Sequence, residues 1–230
     1  MNFAEWEPVY EAVLADFGYD RADDGRARDG LASLTGQFDL SRLDARGDRV
    51  AVAGAGPSLT DSAALERAGE ADAVFAASAA AKRLEASGVA VDLMVTDLDK
   101  VPETARALTE RGTPVAAHAH GDNVPAIEKW VPQFEGRHVL PTTQAEPAGP
   151  VRNFGGFTDG DRAAFLADYL GASELAFVGW DLDDPAVGAE KRRKLRWAER
   201  LLLWLERRRG ERFALLDGRR ERIDDDALRE

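Results

Sequence analysis

The sequence predicts an α/β fold: a mostly parallel, Rossmann-like sheet with helices on both faces, a helical N-terminal lead-in and a long C-terminal helix. From Arg49 onward, short apolar runs alternate with stretches of helical periodicity, which is the pattern of βαβ units. The apolar runs are nearly continuous, as expected for strands buried on both faces. Several runs end in glycines or carboxylates, at the position where open α/β sheets bind ligands.

The first elements are predicted to be helical. Apolar residues recur every three or four positions from Phe3 to Phe17, and Gly18 ends this helix. A second helix is predicted over 22–34. Predicted strands follow at 49–53, 73–76, 92–96, 114–117, 138–141, 174–178 and 212–216. Predicted helices lie between and after them at 59–68, 78–87, 101–111, 123–130, 160–170 and 188–209.

The 230 residues are enough to bury one sizeable core. We expect residues 1–48 to form a helical N-terminal segment and residues 49–218 to form an α/β domain that carries the active site. The charged tail 219–230 is expected to fray. The stretch 141–157 is predicted to be a loop that leads into a second acidic corner of the domain.

Composition excludes several classes of protein. The absence of cysteine excludes disulfide bonds and thiolate chemistry. There is no run of about twenty apolar residues, and the acidic N-terminus lacks the apolar stretch of a signal peptide, so we expect a cytoplasmic protein without a membrane partner. The formal net charge of −12 argues against nucleic acid as a partner, because that affinity rests on basic patches. A homo-oligomer remains open.

The charge balance indicates a saline environment. Asp and Glu number 42 against 30 Lys and Arg, and only five of these bases are lysine. At molar salt the Debye length falls to about 3 Å, so the repulsion among excess acids is screened. The pattern is typical of proteins from salt-loving archaea. An acidic protein from a GC-rich genome is the alternative.

A glycine-rich turn follows the first predicted strand. Gly54 and Gly56 permit close approach of the backbone, and Pro57 and Ser58 open the next helix, whose N-terminal N–H groups suit phosphate. The turn lacks the third glycine of a dinucleotide fingerprint, since Leu59 stands there. A tight strand–helix turn capped by Ser58 is the structural alternative.

Two acidic corners predict a Mg²⁺-nucleotide site. Asp97 and Asp99 follow an apolar strand at i and i+2, so their carboxylates point to the same side. Such a pair needs a cation, and Mg²⁺ prefers one or two carboxylates together with substrate phosphates. The second corner, 158–162, contains Asp159 and Asp161 and offers Arg162 as a phosphate clamp. Helix capping by Thr158 is the alternative there.

Three further motifs are candidate parts of a pocket. The stretch 118–123 carries His118 and His120 on one side, but without cysteine or a third nearby histidine a closed zinc site is not expected. Its polar groups, including Asp122 and Asn123, are more suited to lining a pocket. Asp181 ends another predicted strand. The basic run 191–194 opens the last helix, where cations oppose the helix dipole and neighbouring acids offer an alternative partner.

Taken together, the motifs resemble those of the archaeal 6-hydroxymethyl-7,8-dihydropterin diphosphokinases. The likeness runs from about residue 50 to residue 202 and rests on five segments in order: 54–59, 95–99, 118–123, 155–163 and 178–181. A more distant likeness is to thiamin pyrophosphokinase, through the paired strand acids and the Thr-Asp corner. The family resemblance implies Mg²⁺-dependent transfer of the diphosphoryl group of ATP to the pterin hydroxymethyl, with release of AMP, in tetrahydrofolate or methanopterin biosynthesis.

The resemblance also implies roles for the motif residues. Carboxylates of the two corners would hold Mg²⁺: Asp97, Asp99, Asp159 and Asp161. Cations would stabilise the phosphoryl charge: Arg162 and Lys100, the latter standing where the family pattern has glycine. Turn residues would bind the nucleotide: Gly54, Gly56, Pro57, Ser58 and Thr158. The pterin would contact Asp122, Asn123 or Asp181, and one of these or His120 would take the hydroxyl proton.

Two other function classes remain open from the sequence. One is a diphosphokinase or nucleotide-sugar transferase that acts on another alcohol, for which nucleotide binding would depend on the acids without pterin turnover. The other is a non-catalytic nucleotide-binding module that uses Gly54 and Gly56. Such a module would keep its nucleotide affinity after loss of Asp159 and would produce no AMP.

The charge balance predicts that stability rises with salt. Between about 0.1 M and above about 1 M KCl, the melting temperature should increase because screening relieves repulsion among the excess acids. The measurement is a thermal unfolding series in KCl at constant pH. A melting temperature that stays flat or falls over this range would contradict the halophilic interpretation.

Overall fold

The computed structural model describes residues 1–225 and 228, and its strands form one six-stranded sheet. All strand pairs are parallel, in the order β5-β4-β3-β2-β1-β6, so the predicted α/β fold is confirmed. The strands are Arg49–Ala53 (β1), Ala73–Ala77 (β2), Leu93–Thr96 (β3), Val115–Ala119 (β4), Val139–Thr143 (β5) and Glu174–Val178 (β6).

Eight α-helices lie within the described part of the chain, and none of them is both long and apolar enough to cross a membrane. Glycines in the left-handed conformation end the first and the last helix, at Gly18 and Gly210. The helices are Phe3–Phe17 (α1), Arg21–Leu34 (α2), Ser62–Gly69 (α3), Ala79–Ala86 (α4), Pro102–Glu110 (α5), Val124–Trp130 (α6), Asp159–Tyr169 (α7) and Ala189–Arg209 (α8).

Alternation along the strands separates two helical layers. Val50 and Val52 belong to a core with α1, α7 and α8, whereas Ala51 and Ala53 belong to a second core with α2 to α6. The N-terminal segment 1–48 therefore contributes one helix to each core. It packs against the same sheet as the α/β domain and is not a separate body.

One predicted strand is wrong, and one predicted helix begins later than expected. Residues 212–216 form no strand; a 3₁₀ turn spans Ala214–Leu216. The reason is that the buried Glu206 carboxylate accepts the Phe213 N–H and Arg220 donates to the Phe213 carbonyl at 2.8 Å, so side chains replace a strand partner. The helix predicted over 59–68 begins only at Ser62, after a 3₁₀ turn at Pro57–Thr60, because the Asp61 backbone between them is extended.

The expectation that the tail frays is wrong for residues 219–225. Arg219 pairs with Glu199 and Asp183, and Ile223 is buried against the core. Of the rest of the predicted tail, residues 226, 227, 229 and 230 lie outside the described residues. The described part of the tail therefore adds to the core on the α8 side of the sheet.

The strand order creates a topological switch between β1 and β6. The chain runs from β1 through β5 toward one edge of the sheet, then returns to place β6 on the other side of β1. In open parallel sheets the crevice beyond the carboxyl ends of the strands, at such a switch, is where ligands bind. This crevice is the place to look for a functional site.

Candidate active site

A cleft of about 740 Å³ lies beyond the carboxyl ends of the strands, at the switch between β1 and β6. The loops that follow all six strands line it, together with the first turns of α7 and α8. It gathers twelve of the site residues predicted from sequence: Gly54, Gly56, Pro57, Asp97, Asp99, Lys100, His120, Asp122, Thr158, Asp159, Arg162 and Asp181. Three others do not line it: Ser58, Asn123 and Asp161.

The glycine turn after β1 is built for contact with the turn after β6. A Cβ on Gly54 would lie 2.7 Å from the Gly179 carbonyl oxygen, and one on Gly56 would lie 2.2 Å from Asp181 Oδ2. The N–H groups of Gly54 and Gly56 donate to the carbonyls of Val178 and Gly179, both at 2.9 Å. The glycines are therefore required by the close approach of two backbone segments.

Asp181 occupies the position proposed for phosphate. Its carboxylate accepts hydrogen bonds from the backbone N–H and the hydroxyl of Ser58, at 3.0 and 2.8 Å. The N–H groups of Gly54, Gly56 and Ser58 are therefore all engaged within the protein and are not free donors for phosphate. Ser58 and Asp181 instead hold the two turns together. The turn still forms one wall of the cleft.

The strand-end acids stand close together in a strained turn. Leu98 and Val101 have φ of 65° and 45°, and Lys100 pairs with Asp99 at 3.1 Å. Lys100, where glycine was expected, thus serves the turn as a cation. Asp99 does not cap the helix that follows, because the N-cap of α5 is Val101.

The carboxylates of Asp97 and Asp99 lie close enough to shift each other's pKa. Burial and the neighbouring Asp97 carboxylate raise the pKa of Asp99. For Asp97, burial favours the neutral form, but hydrogen bonds from His120 and Asp99 outweigh it and the pKa is lowered. His120 Nε2 lies 3.6 Å from Asp97 Oδ2. Ionisation of both carboxylates is therefore favoured by positive charge close to them.

Asp159, at the start of α7, adds a third acid to the cleft. Its side chain is 12% exposed, and burial together with the charge of Asp97 raises its pKa to about 8, against the opposing charge of Arg162. The Arg162 guanidinium donates to Asp159 at 3.1 Å and also lines the cleft. A carboxylate that favours its proton at neutral pH marks a place where added positive charge would be stabilised.

Asp161, by contrast, forms its hydrogen bonds with the residues at the N-terminus of α7. Its fully buried carboxylate accepts from the backbone N–H groups of Phe157 and Thr158 and from the Thr158 hydroxyl. The capping alternative is therefore the correct one for Thr158 and Asp161, and we leave Asp161 out of the proposed metal ligands. Gly160 lets the Trp180 ring approach, since a Cβ there would lie 2.7 Å from that ring.

Some residues of the turn after β4 support the backbone nearby, and others line the cleft. The buried Asn123 amide donates to the carbonyls of Asp97 and His118, both at 2.7 Å, and so braces the acidic corner without lining the cleft. His118 is buried, with Nδ1 3.0 Å from the Thr142 hydroxyl, and burial lowers its pKa well below the usual range. His120 and Asp122 face the cleft.

A preformed transition-metal centre is not found. Among residues 1–225 and 228, no group of three or more His, Cys, Asp or Glu side chains is arranged to hold a metal ion. The predicted set of four Mg²⁺ carboxylates therefore does not exist as a ready-made cage. Asp97 and Asp99 remain a two-carboxylate donor set of the kind that suits Mg²⁺ bound together with phosphates.

Several functional residues were missed by sequence reasoning. Gln144 follows β5 and lines the cleft, while Arg83 of α4 donates to the carbonyls of Ala55 and Gly56 at 2.8 and 2.9 Å and so supports the glycine turn. Gln144 stands at a strand end, a signal that could have found it. Lys191 and Lys194 of the basic run do line the cleft. Lys194 also pairs with Glu190 at 3.2 Å.

Comparison with known proteins places the geometry in context. A family model described as 6-hydroxymethylpterin diphosphokinase MptE-like matches residues 30–186. A 6-hydroxymethyl-7,8-dihydropterin pyrophosphokinase of Methanothermobacter thermautotrophicus is 36% identical over 225 residues, covering 90% of this chain and 96% of that protein. Proteins of the same name from Pyrococcus furiosus and Methanocaldococcus jannaschii are 36% and 30% identical, over 90% of this chain and 95% and 96% of theirs.

The contact between the two turns predicts a stability effect. Gly56→Ala should lower the free energy of unfolding by about 1–3 kcal/mol, because the added Cβ collides with Asp181 and with the Gly179 backbone. Gly25→Ala is the matched control: Gly25 lies in α2 with open space around it, so the substitution should be neutral or stabilise by up to about 1 kcal/mol. Urea unfolding of both variants measures the difference. Equal stability of Gly56→Ala and wild type would contradict the close contact.

Proposed function

The chain belongs to the MptE-like family of 6-hydroxymethylpterin diphosphokinases, and we propose that it transfers the diphosphoryl group of ATP to 6-hydroxymethyl-7,8-dihydropterin with Mg²⁺, releasing AMP. The observation that carries the proposal is the meeting of Asp97, Asp99 and Asp159 with cationic side chains in one cleft at the topological switch. The product would enter pterin biosynthesis of the tetrahydrofolate or methanopterin type.

Cationic side chains are our proposed phosphate ligands. Four of them line the cleft: Lys100, Arg162, Lys191 and Lys194. Burial and the neighbouring Lys100 lower the pKa of Lys191, so this ammonium would gain from an anionic ligand. Because the N–H groups of Gly54, Gly56 and Ser58 are engaged, we assign to side-chain cations the role that the turn was expected to play.

Asp97 and Asp99 are our proposed ligands of Mg²⁺. Their donor chemistry fits, because two close carboxylates at the cleft surface favour a divalent cation and Asp159 lies near enough for its pKa to respond to both. When bound, Mg²⁺ would neutralise charge on the triphosphate and polarise the phosphoryl oxygens.

The pterin is assigned to the side of the cleft with free polar and aromatic groups. Within the described residues, the carboxylate of Asp122 has no hydrogen-bond or ion-pair partner and faces the cleft, so it can accept the paired N–H donors of the pterin edge. Asn123 and Asp181, the other candidates, are engaged in holding the backbone. Tyr19 and Phe157 supply apolar surface in the same lining.

The proposed reaction depends mainly on how the protein positions the two substrates. The hydroxymethyl oxygen forms a bond to the β-phosphorus, and the bond from that phosphorus to the oxygen bridging the α-phosphorus breaks, so that AMP leaves with the electron pair. Arg162 and Lys100 would stabilise the charge that spreads over the phosphoryl oxygens. The hydroxyl proton would pass to water, because Asp122 is assigned to the N–H edge of the pterin, at the opposite end of the ring system from the hydroxymethyl group. His120 Nδ1 already accepts the Asp122 N–H at 3.4 Å and its Nε2 faces Asp97.

The proposed metal ligands predict a loss of rate without loss of fold. Asp97→Asn and Asp99→Asn should each reduce turnover by at least about a hundredfold, on the order of 3 kcal/mol of transition-state stabilisation. Asp29→Asn, an exposed acid on α2, is the control and should leave the rate unchanged. Steady-state rates across a Mg²⁺ titration provide the measurement. Unchanged rate and Mg²⁺ dependence in both cleft variants would rule out the assignment.

The proposed reaction predicts the products. With Mg-ATP and 6-hydroxymethyl-7,8-dihydropterin at high KCl, AMP and pterin diphosphate should appear in equal amounts, because attack at the β-phosphorus releases AMP whereas transfer of the γ-phosphoryl group releases ADP. Chromatography of nucleotides and pterins reads out both products. ADP as the only nucleotide product, or no product at saturating Mg²⁺, would overturn the proposal. AMP formed only with a different alcohol would favour the alternative acceptor.

A further inference from the structure

A buried hydrogen-bond relay connects the N-terminal helices to the cleft. The Asp24 carboxylate on α2 is 3% exposed and accepts three hydrogen bonds of 2.7 Å each. The donors are the Tyr10 hydroxyl of α1, the Gly121 N–H after β4 and the Gln144 side-chain amide after β5. Asp24 lies outside the cleft lining, and the proposed chemistry does not use it.

The relay has a direction set by donor and acceptor chemistry. An ionised carboxylate only accepts, so Gln144 must present its NH₂ group to Asp24 and its Oε1 to the other side. There Oε1 accepts from Arg162 at 3.1 Å. The Trp6 indole N–H donates to the Gln144 backbone carbonyl at 2.8 Å and so holds the backbone in place. This contact does not fix which way the side-chain amide of Gln144 is turned. The Asp24 charge settles that orientation.

Arg162 depends on this contact. One terminal nitrogen of its guanidinium donates to Asp159 and the other to Gln144, both at 3.1 Å, while its buried Nε has no hydrogen-bond partner within the described chain. These two contacts therefore determine the plane of the guanidinium in the cleft. If the Gln144 amide were reversed, its NH₂ group would face the Arg162 guanidinium, and both groups are hydrogen-bond donors.

We propose that Asp24 is a positioning residue, which orients Arg162 through Gln144 and holds the turn that carries His120 and Asp122 through Gly121. The inference rests on the proposed function, since Arg162 is the proposed phosphate ligand. A buried carboxylate that served only packing would be costly in comparison with an apolar residue of similar size. Tyr10 and Asp24 precede residue 30, where the match to the family model begins.

The test is Asp24→Asn with Asp23→Asn as matched control. The Asn amide turns an NH₂ group toward Gln144, which must then reverse and oppose Arg162. We expect kcat to fall by about tenfold or more, with less than about a twofold change in the pterin KM. Asp23 is the preceding residue, half-exposed and paired with Arg26, and its substitution should leave both constants unchanged. A wild-type kcat in Asp24→Asn would overturn the proposal.

Rescue separates positioning from a purely structural role. Adding Gln144→Glu to Asp24→Asn supplies a carboxylate that accepts from the Asn amide and from Arg162 together. The double variant should recover at least about half of the wild-type kcat. A double variant as slow as Asp24→Asn, at equal melting temperature, would overturn the relay. If Asp24→Asn alone does not fold, Gln144→Leu interrupts the same link and must reproduce the loss of kcat; a wild-type value there overturns the proposal.

Calorimetric titration with Mg-ATP distinguishes this inference from the proposed reaction. Asp24→Asn should weaken Mg-ATP binding by about fivefold or more, and the double variant should restore it, because Arg162 contacts phosphate before any transfer. If the wild-type protein binds Mg-ATP but yields no AMP with the pterin, the proposed reaction fails while the binding series still tests the relay. Equal affinity in wild type and Asp24→Asn would overturn the relay itself.

Discussion

Because all six strands run parallel, their carboxyl ends meet at one edge of the sheet, and the loops that follow them open into one cleft. The return of the chain to β6 places the turns after β1 and β6 side by side, close enough that only glycine fits at residues 54 and 56. Asp181 then joins these turns through Ser58. The rest of the site is arranged around this junction.

Charge is the second constraint on the cleft. Asp97, Asp99 and Asp159 lie close enough to perturb one another, and burial makes their full ionisation unfavourable without added positive charge. Lys100 and Arg162 supply part of that charge through ion pairs of 3.1 Å each. The proposed ligand, an anionic nucleotide with a divalent cation, would neutralise the carboxylates and the lysines of α8 together.

The N-terminal helices belong to this arrangement as well. Their residues enter both cores, and Asp24 reaches the turns after β4 and β5 through a carboxylate that is almost wholly buried. Periodicity alone predicts the N-terminal helices but not these contacts, since amphipathic spacing shows that a helix face is buried but not what it is buried against. The contacts assign the segment to the support of the site.

Local pattern was enough to predict the parallel α/β fold, its six strands, and the acidic corners at Asp97–Asp99 and Asp159, because apolar runs and strand-end carboxylates are properties of neighbouring residues. Tertiary structure decided everything that depends on distant partners. It turned Asp161 and Asn123 inward, joined Ser58 to Asp181 and brought Gln144 to Arg162. It also replaced the strand at 212–216 by side-chain contacts of Glu206 and Arg220. The physical reason is that a hydrogen-bonding group pairs with a partner that folding brings within about 3 Å. The distance between two residues far apart in the sequence is set by the fold and cannot be read from their order.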